Sequence, residues 1–134
     1  MPKHLTLMLF ALLFSGCNSV RRDLLKSATI ITLSKEQVAQ VKTGVSRGLK
    51  DPESARFEEP FIAADDGQTI HVCGYVNARN SYGGYVGIKP FYALGDHLSK
   101  TFKGAAYGGE MYRAEDIGSN VVREMCSKAG ITLF

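Results

Sequence analysis

The stretch Thr69-Ile70-His71-Val72-Cys73-Gly74-Tyr75-Val76-Asn77-Ala78 decides the fold. It is rich in β-branched and aromatic residues, and its apolar positions alternate, which predicts a strand. Successive side chains on a strand point to opposite faces. Ile70, Val72, Gly74 and Val76 therefore share one face, and His71, Cys73, Tyr75 and Asn77 the other. Ahead of the strand, Asp65-Asp66-Gly67 is a strong turn signal. Behind it, residues 80–84 form a second turn, in which Asn80, Gly83 and Gly84 tolerate positive φ. Residues 85–94 supply a partner strand, so the two pair as an antiparallel hairpin. Gly74 beside Cys73 leaves room for a helix to approach the sheet.

Working outward, residues 55–63 read as a further strand, interrupted near Pro60. Residues 95–109 contain Gly104-Ala105-Ala106-Tyr107-Gly108-Gly109 and read as loop. A helix starts at Ser34, because Ser34-Lys35-Glu36-Gln37 fits a capping box, with Leu33 and Val38 placed as a hydrophobic staple. Val38, Val41, Val45 and Leu49 recur on one helical face. Asp51-Pro52 ends it, since Pro disfavours helical geometry in the residue before it. A second helix spans residues 115–129. Glu115 and Asp116 suit its start and Lys128 its end, by the helix dipole, and Gly130 is its stop. The expectation is an α+β domain: a small antiparallel sheet of about three strands, packed by an N-terminal and a C-terminal helix.

The N-terminal end is of a different kind. Lys3 gives a weakly positive start, and residues 5–14 are apolar apart from Thr6. Ten helical residues span about 15 Å, half a bilayer core, which is short for a transmembrane helix and typical of a signal-peptide core. Ser15 and Gly16 are small, and Cys17 follows. This end resembles the lipobox of bacterial lipoproteins, with Phe14 standing where Leu is usual. The resemblance implies cleavage before Cys17 and lipidation of its sulfur. Each buried CH2 contributes about 0.8 kcal/mol, so two or three chains hold firmly. The expected division is a signal peptide (1–16), a lipidated tether (17–33) and one globular domain (34–134). Arg21, Arg22 and Lys26 lie in that tether, within reach of anionic headgroups or simply solvated. Thr29-Ile30-Ile31-Thr32-Leu33 is apolar enough to pack on the domain. Asn18 follows the cysteine where Asp commonly retains such proteins in the inner membrane. The resemblance therefore implies the cell envelope and, in a Gram-negative host, the periplasmic face of the outer membrane.

With Cys17 lipidated, two of the three cysteines remain. An even pair in an oxidising compartment predicts a disulfide between Cys73 and Cys126. Two free buried thiols, a metal site or a nucleophilic Cys are the other readings. The pair lacks Cys-x-x-Cys spacing and the chain has three histidines, a poor set for a metal. The bridge would staple the second helix to the hairpin. A net charge of +3 over 134 residues is too weak to argue for nucleic acid. No cofactor motif is present.

Asp51-Pro52-Glu53-Ser54-Ala55-Arg56-Phe57 and Cys73-Gly74-Tyr75-Val76-Asn77-Ala78-Arg79-Asn80-Ser81-Tyr82-Gly83-Gly84-Tyr85 together resemble a group of small secreted or lipid-anchored bacterial and prophage proteins. Those proteins carry D-P-x-S-A-x-F, then C-G-x-V-N-x-x-N-x-x-G-x-Y, then a second Cys near the end. The resemblance covers residues 34–134 and supports the fold and the bridge, with no activity attached. Tyr75 stands where a charged residue is usual.

His71, His97 and Asp96 are the residues from which an enzyme would be built. His97 directly follows Asp96, which does not aim one side chain at the other. No nucleophile elbow or phosphate-binding glycine loop accompanies them. Eight aromatic residues crowd between Tyr75 and Tyr112. Tyrosine is enriched at interfaces, and neighbouring glycines single out Tyr82, Tyr85 and Tyr107 as exposed rings. The expectation is a membrane-anchored, non-catalytic interaction module docking an envelope protein. The alternatives are an immunity, inhibitor or phage-exclusion lipoprotein acting on a toxin or cell-wall hydrolase, and an envelope enzyme.

Overall fold

A computed structural model describes residues 28–108 and 117–134. The elements run β1 (Thr29–Ile31), α1 (Lys35–Ser46), a 3-10 turn (Pro52–Ser54), β2 (Arg56–Asp65), β3 (Thr69–Asn77), β4 (Lys89–Asp96), β5 (Phe102–Tyr107) and α2 (Ile117–Lys128). The strands form one antiparallel sheet in the order β1-β2-β3-β4-β5. The class is α+β as expected, but the sheet has five strands rather than about three.

The two added strands lie at its edges. β1 pairs Thr29, Ile30 and Ile31 with Asp65, Ala64 and Ala63, so the sheet takes in residues read as the end of a tether. β5 lies within the glycine- and alanine-rich stretch read as loop. Backbone pairing with β4 and packing under α1 hold it, and its Phe102 N–H donates to Gln40 Oε1 at 3.3 Å. β4 begins at Lys89, not at residue 85, so the connection between β3 and β4 is longer than a tight hairpin turn. Gly87, at φ 91°, turns the chain before the strand can form.

α1 begins as its residues dictate. Ser34 Oγ accepts from the Gln37 N–H at 3.2 Å, and the Ser34 N–H donates to Gln37 Oε1 at 2.8 Å, closing the capping box. The helix ends at Ser46, a turn earlier than the Asp51-Pro52 stop. Val41 and Val45 of the helix, with Leu49 just beyond its end, pack with Ile70, Val72, Val76 and Phe91 on one side of the sheet. On the other side, Val122, Cys126 and Ile131 from α2 and its C-terminal turn pack with Ala64, Cys73 and Tyr92. The alternation in β3 thus feeds two cores. Gly74 serves the α1 side, where the rings of Phe61 and Phe91, rather than a helix, occupy the space its missing Cβ leaves. Cys73 and Cys126 are bonded, with Cα atoms 6.1 Å apart.

Pro60 lies in the part of β2 that β1 leaves uncovered, and the β2–β3 register shifts between Glu58 and Ile62 around it. A strand can carry Pro at an edge or a bulge because no ladder hydrogen bond is then lost. Among the described residues, no helix is long and apolar enough to cross a membrane.

Candidate functional site at the hairpin tip

β3 sets up two poles. At one, the β2–β3 turn (Asp65, Asp66) lies with the β4 end (Asp96, His97), and Thr29 brings the chain in opposite Asp65. At the other, beyond Asn77 and Lys89, lies the tip formed by residues 78–88. The nine strand residues, eight rises of about 3.3 Å, separate the poles by about 26 Å.

Ten consecutive residues of the tip, 79–88, are exposed. Tyr82 is 97% exposed, Ile88 54%, Val86 42% and Tyr85 37%. The tip is nonetheless tightly braced. Arg79 bridges to Tyr85 across it. Asn80 Oδ1 accepts from the N–H groups of Tyr82 (3.0 Å) and Gly84 (3.1 Å), and the Asn80 N–H donates to the Gly84 carbonyl at 2.8 Å. Of the three residues expected to use positive φ here, only Gly83 does, at 84°.

The two sequence motifs meet at this pole. The Arg79 N–H donates to Ser54 Oγ at 2.8 Å, and the Tyr85 hydroxyl donates to the Ser54 carbonyl at 3.2 Å. Ser54 Oγ in turn donates to the Asp51 carbonyl at 2.7 Å. The 3-10 turn is therefore a platform for the tip. The Arg56 guanidinium lies 4.5 Å from the Tyr85 ring centroid and that of Arg79 5.4 Å, both within cation–π range. A cleft of about 410 Å³ opens here, lined by Ser54, Arg56, Arg79 and Tyr85 and by two acidic residues, Asp51 and Glu53. Neither arginine stood out in the sequence. Each occupies an unspecified position inside one of the two motifs, but the shared ring that gathers them is visible only in three dimensions.

At the opposite pole the histidines find partners that the sequence hides. His97 Nδ1 lies 2.6 Å from Asp65 Oδ2, not on Asp96, and Lys100 Nζ lies 3.5 Å from the same oxygen. Burial pushes the Asp65 carboxyl up, but the Gly67 N–H, His97 and Lys100 outweigh it and leave it below its ordinary value. His71 spends both ring nitrogens: Nδ1 lies 2.7 Å from the Tyr92 hydroxyl and Nε2 3.0 Å from Asp66 Oδ2. Hydrogen bonds from His71 first, then from the Thr69 and Gln68 N–H groups, hold Asp66 down to about 2. Burial, with the Asp66 charge second, pushes the Tyr92 hydroxyl up. Asp66, His71 and Tyr92 thus form one hydrogen-bonded chain that runs from the β2–β3 turn to the buried phenol on β4.

The remaining expected sites divide. Cys73 and Cys126 are joined. Cys17 lies outside the described residues. The Tyr107 backbone pairs with Phe91 at the end of β5, while its side chain lies outside what is described. Tyr75 donates through its hydroxyl to the Phe134 carbonyl, tying the C-terminal end to β3. No group of three or more His, Cys, Asp or Glu among the described residues is placed to hold a metal. No family model matches this chain, and no curated protein or solved structure does so either.

Proposed function

We propose that this chain is a lipid-anchored protein of the bacterial envelope, held through Cys17, and that it works as a non-catalytic interaction module docking an envelope protein. The observation that supports this reading is the tip. Tyr82, Val86 and Ile88 are offered to solvent from a loop whose backbone is already fixed by Asn80, Ser54 and the Arg79–Tyr85 bridge. Ordering interface groups before binding removes part of the cost of association. Aromatic residues at the centre of a contact carry most of its energy. The layout suits an anchored protein too, because the chain comes in at Thr29 and the tip lies at the far end of β3.

The test is photo-crosslinking in living cells. A photoreactive residue at position 82 captures a discrete protein adduct, and the same residue at Arg123, exposed on α2, does not. Identical adducts from both positions, or none from position 82, overturn the reading.

A further inference from the structure

The cleft beside the tip holds two guanidiniums whose donors are largely unspent among the described residues. Arginine carries five N–H donors in a rigid fork. Arg79 Nη1 approaches Asp51 Oδ2 only to 3.9 Å, beyond hydrogen-bond range. Among the described residues no carboxylate comes within ion-pair range of Arg56, and neither guanidinium donates a hydrogen bond. What gathers the two like charges is the face of Tyr85, itself fixed through its hydroxyl to the Ser54 carbonyl. The cations are thus placed near each other, with Arg79 in a long ion pair with Asp51 and, among the described residues, no carboxylate in ion-pair range of Arg56.

We propose that this cleft seats a carboxylate of the protein partner, an Asp or Glu side chain or a C-terminal carboxylate, between Arg56 and Arg79. The inference rests on the reading of the tip as a docking surface and names the chemistry that the surface selects. A carboxylate matches the guanidinium fork in a paired geometry. Asp51 and Glu53 line the same cleft, so a phosphate with two charges meets repulsion there, whereas a peptide brings one carboxylate together with backbone N–H donors for those two acids. At about 410 Å³ the cleft has the size of a ligand site, and its lining is charged and hydroxylic, unsuited to an apolar anchor. Tyr82, Val86 and Ile88 supply the apolar contact around it. The cleft also lies at the pole away from Thr29, which separates it from lipid headgroups at the anchored end.

The test titrates the mature full chain in detergent micelles with acetyl-Gly-Glu-Gly-amide, its Gln counterpart and inorganic phosphate, read by NMR at the Arg56 and Arg79 side-chain N–H groups and the Tyr85 ring. The Glu peptide saturates these signals at about fivefold lower concentration than the Gln peptide, a difference of about 1 kcal/mol. The double variant R56K/R79K, which keeps both charges and loses both forks, loses that preference. Equal response to the two peptides, a stronger response to phosphate, or a preference that survives in the double variant overturns the proposal. Crosslinking from position 82 separates the two readings. An adduct that persists in cells carrying R56K/R79K leaves the docking surface standing and removes the carboxylate site. An absent adduct in the unaltered protein removes the docking surface itself, whatever the peptides do.

Discussion

Removing the Cys73–Cys126 bridge perturbs this fold at its most consequential point. The cysteines are 53 positions apart. Loop-closure entropy for a cross-link of that span amounts to about 4 kcal/mol at 25 °C. Single domains have a total of about 5–15 kcal/mol, so the bridge is a large share of what holds the molecule folded. The loss falls unevenly. A 12-residue helix is marginal on its own in water. Without the bridge, α2 keeps its place through Val122 and Ile131, helped by half-buried Met125 and Leu133. The α1 side keeps its whole core, including Phe91 and the β3 valines. The double variant C73A/C126A should therefore lose about 4 kcal/mol, and α2 should open before the sheet does. Urea unfolding followed by tyrosine fluorescence measures the first, since the chain has no tryptophan. Free energies extrapolated to zero urea must be compared rather than midpoints, because a cross-link also compacts the unfolded chain and lowers the slope. Hydrogen exchange measures the second: residues 122–129 should lose protection at lower free energy than β3. A drop of less than about 1 kcal/mol would refute the reasoning, as would equal loss of protection across α2 and β3.

Three further outcomes are expected. In Gly74→Ala the new Cβ would stand 2.8 Å from two Phe91 ring atoms and 2.9 Å from Phe61; overpacking of this kind costs about 1–3 kcal/mol, readable as a lower urea midpoint, and an unchanged midpoint would show that the rings yield freely. Asp66 is held down to about 2 from an ordinary 3.8. Its depressed value contributes stability above the ordinary value that is lost as pH falls toward 2. With the carboxylate about a third exposed, screening leaves about 1 kcal/mol. Asp66→Asn should flatten acid unfolding in that window, and an unchanged acid profile would contradict the assignment. Cys17→Ser should abolish lipid labelling and leave uncleaved precursor in whole cells, and normal processing would remove the anchor.

Local chemistry was legible wherever it stayed local. Ser34 and Gln37 are three positions apart, and both of their hydrogen bonds form as read. The alternation of β3 sorted its residues correctly between two cores, which put Cys73 on the side of α2. β5 escaped because Gly104 and Ala105 have little side chain to declare a strand, and neighbouring β4 and α1 impose the conformation instead. β1 was read as apolar but not as paired, since three residues are too few to show a period. At the site, glycines beside Tyr82 and Tyr85 pointed to exposure, and both rings reach solvent. Arg56 and Arg79 are 23 positions apart, and Asp65 and His97 are 32 apart. No spacing rule links such pairs; only the register of β2, β3 and β4 does.

The short β1 has a mechanical consequence. A pull applied at the N-terminal side of Thr29, resisted at the tip, runs along the strand axis and reaches the sheet first through three residue pairs. Those pairs bear the load in shear, outside the span closed by the Cys73–Cys126 bond. β1 is therefore a fuse. Its release would give the tip almost no extra reach, because Thr29–Ile31 already lies extended along the pull; it would strip Ile31 from the α1-side core and leave the contact of Tyr85 with Ser54 at the far pole in place.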